Sequence, residues 1–390
     1  MSSKVYSIST RKLPSNHFTM KSIKAWSLVS ILMAMMSNPG LAQSPEIKVD
    51  LTSTDVLSQG QTGTCWSFST TSFLESESHR ITGELHDFSE MAAVRVVYPE
   101  KVERYVRYQG KHQFGPGGLS HDVTHAAEVY GLVPQSVYGG GQEQGSYNHG
   151  ALDASLEALA KTMVDQSGKI APESFDAVEG VLDAHLGSLP DSFEYEGKSY
   201  TPGSFRDAMG IVPSAYVTMT SFTHHPFGLP FVLEVPDNHA HGSFWNVPLD
   251  DLESTVRHAL SEGYTVAWDA DVSNRGFSFK NGWAIMPEAA ASAKEWETLG
   301  QMPEEPTVDQ AMRQSAFDSQ ENTDDHLMHI VGLAEDAKGR SYFIIKNSWG
   351  DGNAYGGRQF VSMSYFRHQT IGIMVHQDGL PKAAKKAMAR

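Results

Sequence analysis

The chain has 390 residues, of which 40% are hydrophobic and 19% are charged, and this is the composition of a globular protein without repeats. Its length is enough to bury a large core and predicts two domains or lobes. The formal net charge of −16 disfavours binding to nucleic acid or to an anionic membrane, and we interpret it as a solubility feature.

Residues 1–42 have the pattern of a signal peptide. Lys21 and Lys24 precede the apolar run AWSLVSILMAMM, and Gly40 and Ala42 are the small residues that a signal peptidase requires at its −3 and −1 positions. The run is short for a bilayer span, so a membrane anchor or a buried helix is the less favoured alternative. We therefore predict export to the periplasm or the medium, with no stable membrane anchor after signal removal.

The start of the chain has two interpretations. A signal peptide that begins at Met20 is more typical in length than one that begins at Met1, and both starts stay open. In either case, we expect the mature protein to begin at about Gln43.

Residues 59–69, QGQTGTCWSFS, contain Cys65, the only cysteine of the chain. A single cysteine cannot form an internal disulfide, so it is either an inert core thiol or a reactive group. Gly60 and Gly63 indicate a loop before it. The apolar spacing after it predicts a buried helix, whose N-terminus would lower the pKa of a thiol. The residues expected on the buried face of this helix are Trp66, Phe68, Phe73, Leu74 and Ile81.

Two downstream segments offer partners for a nucleophilic thiolate, which needs an imidazole base, a group that orients it and an oxyanion donor. Residues 324–333 read DDHLMHIVGL, and residues 346–350 read KNSWG after an apolar strand-like run. With the segment around Cys65, these ordered motifs resemble the nucleophile, histidine and asparagine segments of the papain-like cysteine peptidases. The resemblance implies that Cys65 is the nucleophile and that the amide of Gln59 joins its backbone N–H in the oxyanion hole.

Two histidines compete for the role of base. On a strand, the side chains of His326 and His329 point to opposite faces, so only one of them can face Cys65. Asp325 before it and Gly332 six residues after it give His326 the spacing of the family, and we therefore favour His326.

The asparagine segment resembles the part of the family that orients the imidazole. The resemblance implies that Asn347 accepts from the imidazole N–H and that Trp349 shields this hydrogen bond from water, although an Asn beside Gly is more often a plain turn residue. The family usually has a cysteine where this chain has Thr62, which implies a lost disulfide and unchanged chemistry.

Residues 114–120, FGPGGLS, resemble the glycine segment that lines the non-prime side of the papain cleft. Bare backbone at Gly117 and Gly118 would let an extended peptide pair with it, while the alternative is an ordinary Pro-Gly turn. We assign these two glycines, with Trp66 and Trp349, to substrate binding.

The spacing between Cys65 and His326 is 261 residues. Papain-type enzymes need about 130–150, so about 110–130 residues are extra, and we place an insertion at 140–250. Within it we expect two helices, from LDASLEALAKTMVD and PESFDAVEGVLDAHLG, then a hairpin in FEYEGKSYT and strands in AYVTMTSF and FVLEVP. The family pattern resumes with the helix DLESTVRHALSEG and the strand YTVAWDADV.

The large insertion, the short segment before Gln59 and the absence of disulfides together resemble the branch of bleomycin hydrolase and bacterial aminopeptidase C. That branch implies aminopeptidase action limited by a C-terminal arm, and a homo-oligomeric shell. The end of this chain, LPKAAKKAMAR, is short and basic beside such an arm, which leaves the restriction to aminopeptidase action in doubt.

His224, His225, His239 and His241 form the remaining histidine clusters. We find no carboxylate at a typical ligand spacing beside them, so we predict no metal and no cofactor.

The fold class that we predict is α+β, a papain-like two-lobe fold with a helical lobe that carries the nucleophile helix and a β-barrel-like lobe that carries the His and the Asn. The predicted divisions are a signal region at 1–42, catalytic parts at 43–139 and 251–390, and the insertion at 140–250. The predicted function is an exported cysteine peptidase that cleaves peptide bonds, with aminopeptidase-like action. The alternatives are a catalytically silent papain fold that binds peptides or a partner, and a cysteine-dependent amidase or acyltransferase.

Overall fold

Helix α1 begins at Cys65 and lies between the two lobes of the protein. The structure is a computed structural model that describes residues 45–142, 146–166, 171–286 and 303–388. The predicted signal region therefore lies outside the described residues. The described residues belong to one compact unit, Gly40–Arg390. None of the described helices is both long enough and apolar enough to span a membrane.

The helices and strands have the following bounds. The helices are α1 (Cys65–Thr82), α2 (Glu90–Arg107), α3 (Ser120–Val129), α4 (Gly150–Asp165), α5 (Pro172–Leu186), α6 (Pro202–Ala208), α7 (Leu249–Ser261), α8 (Gln310–Asp318), α9 (Met363–Gln369) and α10 (Lys382–Met388). The strands are β1 (Glu46–Asp50), β2 (Phe193–Tyr195), β3 (Lys198–Tyr200), β4 (Tyr216–Thr220), β5 (Pro230–Val232), β6 (Ser243–Asn246), β7 (Val266–Ala270), β8 (Phe277–Ser278), β9 (Trp283–Ala284), β10 (His326–Glu335), β11 (Ser341–Lys346), β12 (Arg358–Ser362) and β13 (Thr370–His376). These bounds confirm the predicted helices α1, α4, α5 and α7, the hairpin β2–β3 and the strands β4, β5 and β7.

Helix α1 is buried more completely than its sequence predicts. Every residue from Cys65 to Ser78 is buried, including the small Ser and Thr side chains, because the helix packs between the other helices and the sheet. Phe73 and Leu74 are fully buried, and each contributes roughly 1.5–3 kcal/mol to the free energy of unfolding. The prediction for Ile81 was wrong: it is 45% exposed, because it lies in the last turn of the helix, beyond the buried stretch.

The second lobe is built on one large sheet. Its strands follow the order β5-β6-β4-β13-β7-β10-β11-β12-β9-β8, and β1 pairs with β10 beside this path. The path of described strands has two ends, β5 and β8, so the sheet is open. The α+β two-lobe prediction is confirmed, while the barrel-like description is corrected to an open sheet.

The predicted insertion at 140–250 contributes to both lobes. Helix α5 packs on α2, where the guanidinium of Arg95 donates to Glu179 at 2.6 Å and to Asp183 at 2.7 Å. Strand β4 pairs with β13 and thereby extends the large sheet. In the part of the chain that the structure describes, the insertion is thus built into the two lobes.

Contacts between α1 and β10 bring the nucleophile and histidine motifs together. The hydroxyl of Ser69 donates to the carbonyl of Met328 at 2.7 Å, and the hydroxyl of Ser72 lies 2.9 Å from Nδ1 of His329. The contact of the later helix residue, Ser72, is with the later strand residue, His329, so α1 and β10 run in the same direction here. The first turn of α1 therefore lies at the start of β10.

Candidate active site

Cys65 lies at the N-terminus of α1 and is 8% exposed. The first backbone N–H groups of a helix have no acceptor within the helix, so the N–H of Cys65 is free to stabilise an anion. The entry to the helix is tight at Gly63, where a Cβ would lie 2.5 Å from Cγ of Pro116. A glycine is therefore required for the loop to reach Cys65 against this proline.

The predicted base and its orienting residue meet as expected. Nε2 of His326 lies 2.9 Å from Oδ1 of Asn347, which leaves Nδ1 for the thiol side of the ring. The indole of Trp349 stacks on the imidazole with 4.6 Å between ring centroids. Asn347 is itself held, because its Nδ2 donates to Oε1 of Gln359 at 2.8 Å. The tautomer of His326 is thus set by a buried network.

His329 points away from this network, as the alternation along a strand predicts. It is 1% exposed, its Nδ1 contacts Ser72, and its ring packs edge-on against Phe73. The structure therefore places His326 at the candidate site and His329 in the contact between the lobes.

Gln59 is fixed where an oxyanion donor is needed. Its Oε1 accepts from the hydroxyl of Ser348 at 2.6 Å, and its Nε2 donates to the carbonyl of Thr62 at 2.8 Å. Because an amide nitrogen carries two hydrogens, one N–H remains for a substrate oxygen. The motif around Asn347 therefore also orients Gln59 through Ser348. We refer to Gln59, His326, Asn347, Ser348 and Trp349 as the orienting side.

Ser348 and Gln359 were missed by the sequence analysis. Ser348 stands inside the KNSWG motif, so its position was a usable signal. Gln359 lies in the interior of β12 with 0% exposure, and a buried glutamine in an apolar strand is a weaker signal of the same kind.

Burial shifts the pKa values of the thiol and of the imidazole toward their neutral forms. Desolvation raises the pKa of Cys65 to about 12, a hydrogen bond with the backbone of Leu327 opposes the shift, and nearby carboxylates add to it. Desolvation lowers the pKa of His326 to about 4 against the hydrogen bond to Asn347. Transfer of the proton from the thiol to the ring creates two charges that attract each other, which offsets their desolvation.

The predicted substrate strip is covered in part. A Cβ on Gly117 would lie 1.8 Å from Oδ2 of Asp237, so that carboxylate rests on the backbone where a peptide was expected to pair. Gly118 is buried, and a Cβ there would lie 3.1 Å from the ring of Trp66. The strip at Gly117 and Gly118 is therefore less open than the sequence analysis expected, with Gly117 half-buried and Gly118 buried.

The two tryptophans assigned to substrate binding have different environments. Trp66 is 0% exposed, and its Nε1 donates to the carbonyl of Pro116 at 3.0 Å, so it supports the strip from below and does not face a substrate. We predicted that Trp66 contacts the substrate, and this was wrong because its ring is buried in the core under Gly118. Trp349 is 37% exposed and remains accessible from solvent.

His224 and His225 do meet a carboxylate, contrary to the sequence analysis. Glu234 lies 3.1 Å from Nε2 of His224 and 2.7 Å from Nε2 of His225. However, Nε2 of Gln314 lies 3.1 Å from Nδ1 of His224, and its amide is oriented by the N–H of Thr223, so Nδ1 is an acceptor. The ring proton of His224 then sits on Nε2 and is donated to Glu234, so in this arrangement the ring is neutral and hydrogen-bonded to the carboxylate.

The other two histidines of these clusters lie apart. Nε2 of His239 is 3.1 Å from Oδ1 of Asp122, and both side chains are buried. His241 contacts the rings of Tyr108 and His112.

The two lobes, with Cys65 at a helix start beside a His–Asn pair, define a cysteine peptidase of the papain superfamily. The model of the Peptidase C1-like family matches residues 191–390, just over half of the chain, and the chain belongs to this family.

Similar proteins agree with this assignment. Aminopeptidase G of Lactobacillus delbrueckii subsp. lactis is 24% identical over 386 residues, which cover 87% of this chain and 85% of that protein. Aminopeptidase C of Lactococcus lactis subsp. lactis is 24% identical over 380 residues, which cover 86% and 84%. The crystal structure of PepW from Lactobacillus rhamnosis HN001 (DR20) has a TM-score of 0.71 at 17% identity and covers 89% of this chain and 85% of its own, which supports the fold.

Proposed function

We propose that this protein is a cysteine aminopeptidase in which Cys65 attacks the carbonyl carbon of a peptide bond. The observation that carries the proposal is the hydrogen bond between His326 and Asn347 at the start of β10, beside the first turn of α1. Aminopeptidase action is supported by the names of the curated relatives, two of which are aminopeptidases G and C.

The reaction follows from the geometry in two steps. Nδ1 of His326 takes the proton of the thiol as Sγ bonds to the carbonyl carbon, and the oxyanion is held by the N–H of Cys65 and the remaining N–H of Gln59. The imidazolium then gives its proton to the leaving amine, and an acyl thioester remains on Cys65. Water, deprotonated by His326, hydrolyses this thioester and restores the thiol.

Chemical labelling and mutation together test this function. We expect iodoacetamide to alkylate Cys65 and to abolish cleavage of peptides, and Cys65→Ala to have no peptidase activity while it keeps the thermal stability of the wild type. Intact-mass measurement reads the labelling and liquid chromatography reads the cleavage. A protein that cleaves peptides equally well as Cys65→Ala would contradict the proposal.

We also propose that the chain is exported, on the support of Lys21, Lys24 and the apolar run before Gly40 and Ala42. Cell fractionation followed by N-terminal sequencing tests this, with a mature N-terminus near Gln43 outside the cytoplasm as the expected result. An uncleaved protein in the cytoplasm would overturn it. Light scattering of the purified protein tests the homo-oligomer that the family resemblance implies.

A further inference from the structure

Three carboxylates from separate segments lie near Cys65 and are not part of the orienting side. We call Asp237, Asp269 and Asp324 the acid wall. Oδ2 of Asp324 accepts from the backbone N–H of Asp237 at 3.3 Å, and β7 pairs with β10 so that Asp269 lies opposite Leu327. The backbone of Leu327 also hydrogen-bonds the Cys65 thiol, so its pairing with Asp269 brings that residue beside the nucleophile, and the charges of all three carboxylates raise the pKa of the thiol.

Asp269 has no cationic partner among the described residues. It is 4% exposed, and the one side-chain hydrogen bond recorded for it joins it to another acid, Asp324. Its strongest charged neighbours are Asp324 and Asp237, which are acids themselves. Burial and the charges of these two acids raise the pKa of Asp269 well above its usual range, so it holds a proton, and a positively charged ligand at this place would stabilise its ionised form.

Asp237 is held in position by its neighbours. Nδ2 of Asn238 donates to the carbonyls of Leu233 and Gly242 at 2.8 and 2.9 Å, which fixes the turn after Asp237. Next along the chain, His239 contacts the buried carboxylate of Asp122. The carboxylate of Asp237 is thereby kept on the backbone of Gly117.

Lys101 is a cation near the acid wall. Its buried ammonium group opposes the rise in the pKa of Asp237 that burial causes, but it donates its hydrogen bond to the carbonyl of Gly117. One buried lysine against three carboxylates leaves the acid wall short of positive charge.

The distance between the reacting carbon and the N-terminus of a substrate fits this arrangement. In a peptide, the α-nitrogen of a residue lies about 2.5 Å from the carbonyl carbon of the same residue. A group that binds this nitrogen must therefore lie beside the nucleophile, as the acid wall does. The family resemblance implies that an extended peptide runs along Gly117, so a chain that continued past the nitrogen would meet the carboxylate of Asp237 there.

We propose that Asp237, Asp269 and Asp324 bind the protonated α-amino group of a peptide's first residue and so restrict Cys65 to the first peptide bond. The ligand is a peptide with a free amino terminus; an internal segment would present a neutral amide here and would collide with Asp237. This inference rests on the proposed peptidase function and deepens it.

The test compares one hexapeptide with a free amino terminus and the same hexapeptide acetylated at that terminus. Cleavage by the purified full chain is followed by mass spectrometry, and kcat/KM is measured for both peptides. We expect the wild type to prefer the free peptide at least 100-fold. Asp237→Asn and Asp324→Asn should lower kcat/KM for the free peptide at least tenfold, while Asp191→Asn, which changes an exposed carboxylate elsewhere, should stay within twofold of the wild type.

The outcomes separate the two proposals. Equal cleavage of both peptides by the wild type, or an unchanged preference in Asp237→Asn and Asp324→Asn, overturns the acid wall while a peptidase that depends on Cys65 stands. If the wild type cleaves neither peptide and iodoacetamide fails to label Cys65, the proposed peptidase function is overturned, and the proposed ammonium-binding site is overturned with it. Thermal unfolding checks that each variant folds, and if Asp324→Asn does not fold, the result for Asp237→Asn alone decides.

Discussion

The orienting side and the acid wall border the same thiol but differ in how their polar groups are satisfied. On the orienting side, Gln59, His326 and Asn347 all have partners within the protein, and these bonds fix where each side chain points. On the acid wall, the one side-chain hydrogen bond recorded for Asp269 is to another acid, Asp324, and Asp237 adjoins this pair as a like charge. A satisfied network is prepared for chemistry before a substrate arrives, whereas an unsatisfied one is completed by a ligand.

The two histidines of β10 give the sharpest test of the orienting side. We expect His326→Ala to lower kcat about 10²–10⁴-fold, because it removes the base and the acid, with little change in thermal stability. His329→Ala is the matched control: it should retain kcat per folded molecule and lose stability, because it leaves the hydroxyl of Ser72 without its partner. Steady-state kinetics and thermal unfolding of both variants provide the measurement. An active His326→Ala beside an inactive, folded His329→Ala would reverse the assignment.

Gln59 tests whether the orienting side also supplies the oxyanion donor. Removal of one such donor costs about 10²–10³ in kcat, and we expect this loss in Gln59→Ala with a smaller change in KM. Gln61→Ala changes a glutamine in the same loop, whose side chain bonds Asn148 instead, and should keep the kcat of the wild type. Equal kcat in both variants would remove Gln59 from the mechanism.

Gly117 tests the acid wall without a change of charge. Gly117→Ala places a methyl group where Oδ2 of Asp237 now lies, so the carboxylate must move. We expect kcat/KM for a peptide with a free amino terminus to fall about tenfold, as a charge-assisted hydrogen bond is worth about 1.5–3 kcal/mol. Gly139→Ala is the control, because a Cβ there meets nothing within 4 Å. A Gly117→Ala enzyme with unchanged preference would show that the position of Asp237 is irrelevant to recognition.

The sequence predicted most of the orienting side because Gln59, Asn347 and Trp349 stand in short motifs that carry the family resemblance. Gln59 is six residues from Cys65, and Asn347 and Trp349 are separated only by Ser348, which was missed. Strand alternation showed that only one of His326 and His329 can face Cys65, and the positions of Asp325 and Gly332 favoured His326.

The acid wall could not be predicted in the same way. Asp237 and Asp269 are 32 residues apart, Asp324 follows 55 residues later, and only the pairing of β7 with β10 and the turn after Asp237 bring them together. A usable signal was the acid inside the apolar strand YTVAWDADV, since a buried Asp without a partner is costly. Trp66 and Gly118 were misjudged because spacing does not tell which side of a segment faces the core.

The pH dependence of stability distinguishes the acid wall from the rest of the protein. Burial and the charges of Asp237 and Asp325 raise the pKa of Asp324 to about 7, against hydrogen bonds with the backbone of Asp237 and the side chain of Asp269. An unfolded Asp titrates near 3.9, so between about pH 4 and 7 the folded protein holds a proton that the unfolded chain has released. The free energy of unfolding therefore falls as the pH rises through this window and levels off above it, by about 1.4 kcal/mol for each unit of pKa shift.

Asp324→Asn removes the titrating group, so urea unfolding at a series of pH values should show a smaller decline between pH 5 and 7 than in the wild type. Asp191→Asn should follow the wild-type curve. If Asp324→Asn also follows it, the charge on the acid wall is already compensated in the folded protein. A substrate ammonium group would then not be needed to compensate the acid wall. The two sides of Cys65 would differ in the arrangement of their side chains but not in how far their polar groups are satisfied.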